Sequence, residues 1–399
     1  MQQKNALFDK NDTKAIKGIA IIMMLFHHLA GFPERFPVGF EGFISKWQKL
    51  IDDGYLQTFA FNAKFCVSIF FFLGGYGMYK RWEKGKFSLS DSIISLIKRF
   101  WKIFIIFTPI AFIFFKRTGE GTNYLCSRYV IEKWSDFITN VLGNFILLNN
   151  SINLEWWFLP YYICALMLGA FYCDKTKKTN NFLNEIFIVF GLDILIRSIF
   201  PNIPAINGFS GLYDSVYYYY FMKITENAPI FFAGIIFAKY NGICRIKNEL
   251  YKIPCRTVIS VLGIFAIIWS RCYIKGEALD IVYSVLFTSF CSVIFDSLKV
   301  LKSIFQYLGK HSTNIWLIHS FYCYYFLEAT KLVYSTRNVW IDLLILLLMS
   351  LVSSILVDLF YNLITKLYIK VKNWIKRDDK PNNSSFTEKE KKSEEVSAC

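Results

Sequence analysis

Charge is scarce in this 399-residue chain: Asp, Glu, Lys and Arg together make up 19% of it, against about 25% in an average globular protein. Coiled coils and disordered chains need far more. Its 21 glycines and 9 prolines are too few for a collagen-like repeat. The ten cysteines include no CxxC pair and no metal-like spacing, which excludes a disulfide scaffold and gives no reason to expect a metal. Cys66, Cys164, Cys173, Cys291 and Cys323 lie inside apolar runs and read as small buried hydrophobes. A cleavable signal peptide is also missing: the first apolar run, Ile16 to Phe32, lacks a small-x-small site and contains two of the four histidines.

What the chain has instead is apolar surface. Hydrophobic residues make up 54% and aromatics 19%, carried by 41 Phe, 24 Tyr and 10 Trp. Runs near the ~20-residue length that crosses a bilayer recur along almost the whole chain, so the fold class is all-α, a polytopic membrane protein. The pattern predicts about ten transmembrane helices, near 16–33, 57–79, 93–115, 156–173, 182–200, 213–238, 256–273, 278–298, 312–331 and 340–364. A further apolar stretch at 138–150 is too short to cross and reads as re-entrant or interfacial. With this alternation one set of loops carries 28 Lys and Arg and the other 11, which predicts cytoplasmic N and C termini. The net charge of +15 is then largely a property of cytoplasmic loops, and no nucleic acid is required. Residues 1–370 read as one integral-membrane domain and 371–399 as a basic, polar, disordered cytoplasmic tail. No internal repeat of the transporter kind is visible.

Ionisable groups at membrane depth are costly and therefore functional candidates. Asp193 and Arg197, four apart on one helix, neutralise each other, while Lys64, Lys223 and Glu226 lie within snorkelling reach of an interface. Glu155 stands beside Trp156 and Trp157 at the outer mouth, where an aromatic belt is expected in any case. The first span is more informative. Lys17 and His28 are 11 residues apart, which returns to within roughly 20° of the same helix face about 16 Å further along. That face carries a cation at the cytoplasmic edge and an imidazole near the bilayer centre; His27, about 100° away, points elsewhere. Arg99 and Lys102 share a face at the same edge, where together with Lys17 they suit the phosphates of a nucleotide-bearing group. Ser312 and His319, seven apart, share a face of the ninth span.

These residues carry a resemblance. Lys17-x10-His28 resembles the Arg-x10-His signature of the acyltransferase-3 family, the integral-membrane O-acyltransferases of bacterial envelope polysaccharides. The run Ile69 to Tyr76 is similar to its Phe-Phe-x-Leu-Ser-Gly-Tyr element, and Arg99-x-x-Lys102 to its Arg-x-x-Arg. Trp157-Phe158-Leu159-Pro160 and the segment Leu308 to His319 resemble two further elements, all in order across residues 14–320. The chain departs at Lys17, which keeps the charge of Arg without its fork, at Gly74 in place of Ser, and at Trp316 in place of Tyr.

The resemblance implies transfer of an acyl group, acetyl first among them, from cytoplasmic acyl-CoA to a sugar hydroxyl of an envelope or exported glycan. It implies a catalytic set of His28, Lys17, His319 and Ser312, with His28 either general base or transient acyl carrier. Arg99, Lys102 and Lys17 are expected to bind the donor's phosphates, and Glu155, Trp156 and Trp157 the acceptor. No permanently bound cofactor and no metal is expected; acetyl-CoA, a carbohydrate and the lipid bilayer are the partners, and the location is the bacterial cytoplasmic membrane. Neither the acceptor nor the oligomeric state is legible. The rival readings are a transporter or flippase of a lipid-linked sugar or small anion, and a membrane module without chemistry.

Overall fold

A computed structural model describes residues 8–32, 55–118, 134–199, 216–274, 277 and 279–378. Every regular element among them is helical. The chain divides at Ser354 into two units; the helix packing and the site described below lie in the first, and the second begins within the last helix. Helix α1 (Lys10–Ala30) begins at a capping box. The Asp9 carboxylate accepts from the amides of Asn11 and Asp12 at 2.7 and 2.9 Å, and Asp12 answers by accepting from the Asp9 amide at 3.0 Å. Asp12 also forms an ion pair with Lys302 at 2.5 Å, which fixes the start of α1 against the twelfth helix.

After α1 come α2 (Tyr55–Asn62), α3 (Cys66–Trp82), α4 (Leu89–Thr118) and the short α5 (Trp134–Phe145). A 3-10 turn at Leu154–Trp157 leads into α6 (Phe158–Lys175), followed by α7 (Phe182–Ile194) with a π-turn at Leu195–Ile199. The series continues through α8 (Val216–Lys239), α9 (Gly242–Tyr251), α10 (Arg256–Tyr273), α11 (Asp280–Ser297) and α12 (Lys299–Ser320). It ends with a π-turn at Phe321–Tyr325, α13 (Leu327–Val333) and α14 (Val339–Asp378). Among the described residues six segments are long and apolar enough to cross a bilayer: Lys10–Ala30, Leu56–Trp82, Leu154–Lys175, Arg256–Tyr273, Asp280–Ser297 and Val339–Trp374. The remaining expected spans coincide with α4, α7, α8 and α12. Of these α4, α8 and α12 carry charged side chains, and α7 has only 13 residues before its π-turn. At 12 residues, α5 is about 18 Å long, well short of a ~30 Å hydrocarbon layer. Residues 371–378 of the segment read as a tail continue α14 as helix, and 379–399 lie outside the described residues.

Two close helix pairs form the interior. Between α1 and α12 a Cβ on Gly18 would run into the Phe305 carbonyl and one on Gly309 into the Lys14 carbonyl. Between α3 and α8 the same holds for Gly75 against Phe231 and Gly234 against Phe72. Without side chains at these points the backbones meet, the usual means of association where lipid gives no hydrophobic drive. Ala15, Ile16, Ala20, Ile21 and Leu25 of α1 are fully buried. By contrast α10 presents Phe265 and Trp269 at 66% and 67% exposure, a face suited to lipid. Two buried cations are held in ion pairs: Arg271 holds Asp280 through two bonds of 2.9 and 3.1 Å, and Lys247 holds Asp296 at 2.6 Å.

Candidate active site

A cavity of about 580 Å³ runs between α1, α3, α4, α6, α8 and α12. Because α3 runs antiparallel to α1, with Phe8 against Tyr76 and His27 against Ala60, the cavity has two chemically distinct ends. One end collects Lys17, Arg81, Lys86 and Arg99 together with Ser88 and Ser92. Among the described residues none of these four cations forms an ion pair, although Asp91 also lines the wall. Arg81 instead donates to Ser92 at 3.4 Å and lies over the Phe87 ring. Such a cluster repels itself in the empty state and favours a polyanion.

His28 and Glu155 face each other in the middle, His28 Nε2 lying 3.9 Å from Glu155 Oε2 with both residues under 10% exposed. The local fold explains how Glu155 gets there. Asn153 caps the 3-10 turn by accepting from the Glu155 amide at 3.0 Å and from Ser320 at 2.9 Å. Pro160 stands in the first turn of α6, where a missing N–H costs nothing. The turn thereby points Glu155 and Trp157 inward, and Trp156 is fixed by donation from its indole to the Leu317 carbonyl at 3.0 Å. On the other side the π-turn after α12 brings Tyr324 round to donate to the His28 carbonyl.

His319 packs its ring 4.9 Å from that of His28. Its Nδ1 lies 2.7 Å from the Trp316 carbonyl, which can only accept, so Nδ1 carries the hydrogen and Nε2 presents a lone pair. That Nε2 is buried and has no hydrogen-bond partner among the described residues. His319 is not itself in the cavity wall, whereas Ser312 is, donating to the Gly309 carbonyl at 3.0 Å.

At the far end Lys64, Glu226, Asn227 and Glu277 line the wall. Glu277 accepts from Lys64 at 2.6 Å and from Arg197 at 3.1 Å, and Arg197 also donates to Asp193 at 2.9 Å and to the Glu226 carbonyl at 2.8 Å. Burial alone would raise the Glu277 carboxyl; Lys64 and Arg197 overcome it and hold the group at about 2. This mouth is polar yet internally neutralised, unlike the cationic end.

Of the residues singled out in the sequence, the cavity brings together Lys17, His28, Arg99, Glu155, Trp157 and Ser312. His319 touches the site through His28, and Trp156 and Lys102 are not in this wall. His27, expected to point elsewhere, also borders the cavity, with its Nδ1 3.0 Å from the Ala60 carbonyl. Glu155 lies inside the protein opposite His28 and is 4% exposed. Sequence reasoning missed Arg81 and Lys86, which counted only as loop charge, and Tyr162. A Cβ on Gly74 would stand 2.5 Å from the Tyr162 hydroxyl, so the departure from Ser at that position makes room for a tyrosine on the cavity wall.

No curated protein and no solved structure matches the chain significantly. Residues 12–359 match the acyltransferase-3 family model, an acyltransferase domain; the chain belongs to that family and is a membrane acyltransferase.

Proposed function

We propose that the protein moves an acyl group, acetyl in the simplest case, from acyl-CoA to a sugar hydroxyl of an envelope or exported glycan. The observation that carries this reading is one cavity joining four cations, without an ion pair among the described residues, to the His28–Glu155 pair. Lys17, Arg81, Lys86 and Arg99 bind the phosphates of the donor. Along α1 the distance from Lys17 to His28 is about 16 Å, near the reach of an extended pantetheine arm, which carries the thioester to His28. The acceptor oxygen attacks the thioester carbonyl carbon while His28 takes the hydroxyl proton. The C–O bond forms, the C–S bond breaks, and the proton passes from His28 to the departing sulfur, leaving free coenzyme A and an ester. Glu155 stabilises the imidazolium between these two transfers.

In this reading ten helices cross a bacterial cytoplasmic membrane, both termini and the cationic end face the cytoplasm, and the glycan arrives from the other side. The test uses purified protein in vesicles with a glycan acceptor and acetyl-CoA supplied to one face at a time. Coenzyme A should appear only when acetyl-CoA is on the face bearing the termini, one molecule per ester formed. Passage of unmodified sugar without acetyl-CoA, and no ester, would replace the enzyme with a carrier.

A further inference from the structure

A second cavity, of about 320 Å³, lies behind the first. The two share Phe100, Glu155 and Trp157, so the carboxylate opposite His28 stands in the wall between them. The turn after α5 supplies the polar part of the second lining, and its side-chain amides are half committed. Asn149 Oδ1 accepts from Asn144 at 2.5 Å and from the Ser151 hydroxyl at 3.1 Å, while its Nδ2 has no partner among the described residues. That Nδ2 lies over Gly143, where any side chain would displace it. Asn150 is the converse. Its Nδ2 donates to the Leu154 carbonyl at 2.6 Å and its Oδ1 has no partner among the described residues. One free donor and one free acceptor therefore sit side by side on a single turn, opposite Trp156, Trp157 and Tyr161.

We infer that this second cavity is the acceptor subsite, and that Asn149 and Asn150 fix the sugar ring whose hydroxyl is acylated; the assignment rests on the acyl-transfer reading above. The chemistry of the lining fits a pyranose. Neighbouring hydroxyls both donate and accept, matching the Asn149 and Asn150 pair. The C–H face of the ring is apolar and suits Trp157 and Tyr161, which lie 5.5 Å apart. Among the described residues no Lys or Arg lines the cavity, which favours a neutral ligand over a phosphorylated or otherwise anionic one. The volume is near the lower end of the roughly 300–1,000 Å³ typical of small-molecule sites, enough for a terminal sugar unit and not for a long oligosaccharide. A ring held there meets the thioester across Glu155, with donor and acceptor on separate sides.

The test is Asn149→Asp and Asn150→Ala, each expressed as the full chain in source cells lacking the gene. Asn149→Asp keeps the oxygen that Asn144 and Ser151 donate to, and replaces the free N–H donor with a charged acceptor that cannot donate to a sugar hydroxyl. Two quantities are read: alkali-labile acetate on total envelope glycan, and acetyl-CoA affinity of the purified protein. At equal membrane abundance, ester should fall about tenfold for each variant, while acetyl-CoA Kd stays within about twofold of the parent. Ester at the parental level in both variants would overturn the assignment and leave the acyl-transfer reading standing. Loss of acetyl-CoA binding together with ester would also overturn it, returning the turn to the donor site or the fold. A parent chain that neither binds acetyl-CoA nor forms ester would remove the reading and this subsite with it.

Discussion

His27 and His28 are neighbours on one helix, and both border the cavity, yet their surroundings divide the labour. His27 is tied to the Ala60 carbonyl, whereas His28 faces Glu155 and packs on His319. His28→Ala should therefore abolish transfer at unchanged membrane abundance, and His27→Ala should retain measurable turnover, both read as coenzyme A release. The general base alone is worth about 10²–10⁴-fold, which sets the size of the His28 loss. In the proposed mechanism Glu155 acts through His28. Glu155→Gln should lower kcat with the acetyl-CoA KM little changed, because the imidazolium formed during transfer loses its neighbouring negative charge. A purely structural Glu155 would lower membrane abundance and leave kcat of the remaining protein unchanged. At the cationic end, Arg81→Ala and Arg99→Ala should each raise the acetyl-CoA KM about tenfold or more with kcat little changed, each losing a charge-assisted contact. Lys102→Ala should do less, since Lys102 is outside the cavity wall. Titrations of acetyl-CoA rate dependence on the three variants rank them directly.

Helix α1 carries both Lys17 and His28, the two ends of the proposed reaction path, so its packing bears on that proposal. Its contact with α12 depends on Gly18 and Gly309, where backbone meets backbone. Gly309→Val should separate the helices, costing about 1–3 kcal/mol by overpacking and displacing Lys17 from the cationic end. Thermal unfolding in detergent and acetyl-CoA affinity should fall together. A smaller local device is the 3-10 turn before α6. Its proline and its two tryptophans are legible as a short motif, but neither its Asn153 cap nor the histidine that the residue before the tryptophans faces, 127 positions earlier in the chain, is. The π-turn at Phe321–Tyr325 had no sequence signal at all. It follows from α12 running on past His319 and then bending to bring Tyr324 to α1.

For the molecule as a whole, the proposed topology of ten crossings with both termini on the cytoplasmic side would place the cationic end with the cytoplasmic acyl-CoA pool. Reporter fusions after residues 54, 176, 206, 247 and 336 should read outside, inside, outside, inside and outside. An outside signal at 176 would mean that 138–150 crosses and that the sides assigned from there on are exchanged. The helices' own length and apolarity support six of the crossings. The other four rest on loop charge and alternation, because charged residues within α4, α8 and α12 lower their mean hydropathy.

By itself the sequence determined the all-helical membrane class, the family, and the Lys17 to His28 face. These depend on composition and on the 3.6-residue period, which are local properties. It also indicated Arg99, Ser312 and His319, because fixed spacing along one helix survives folding. Only the tertiary structure decided which charges go unpaired, since pairing joins residues far apart in the chain. Lys64 meets Glu277, and Arg271 meets Asp280, whereas Arg81, Lys86, Arg99 and Lys17 form no ion pair among the described residues. In the same way it turned Glu155 from an expected mouth residue into the partner of His28, and placed the Asn149 and Asn150 turn behind it. Burial is the physical reason: a carboxylate or amide has a role set by what surrounds it, and those surroundings come from six helices that no local pattern brings together.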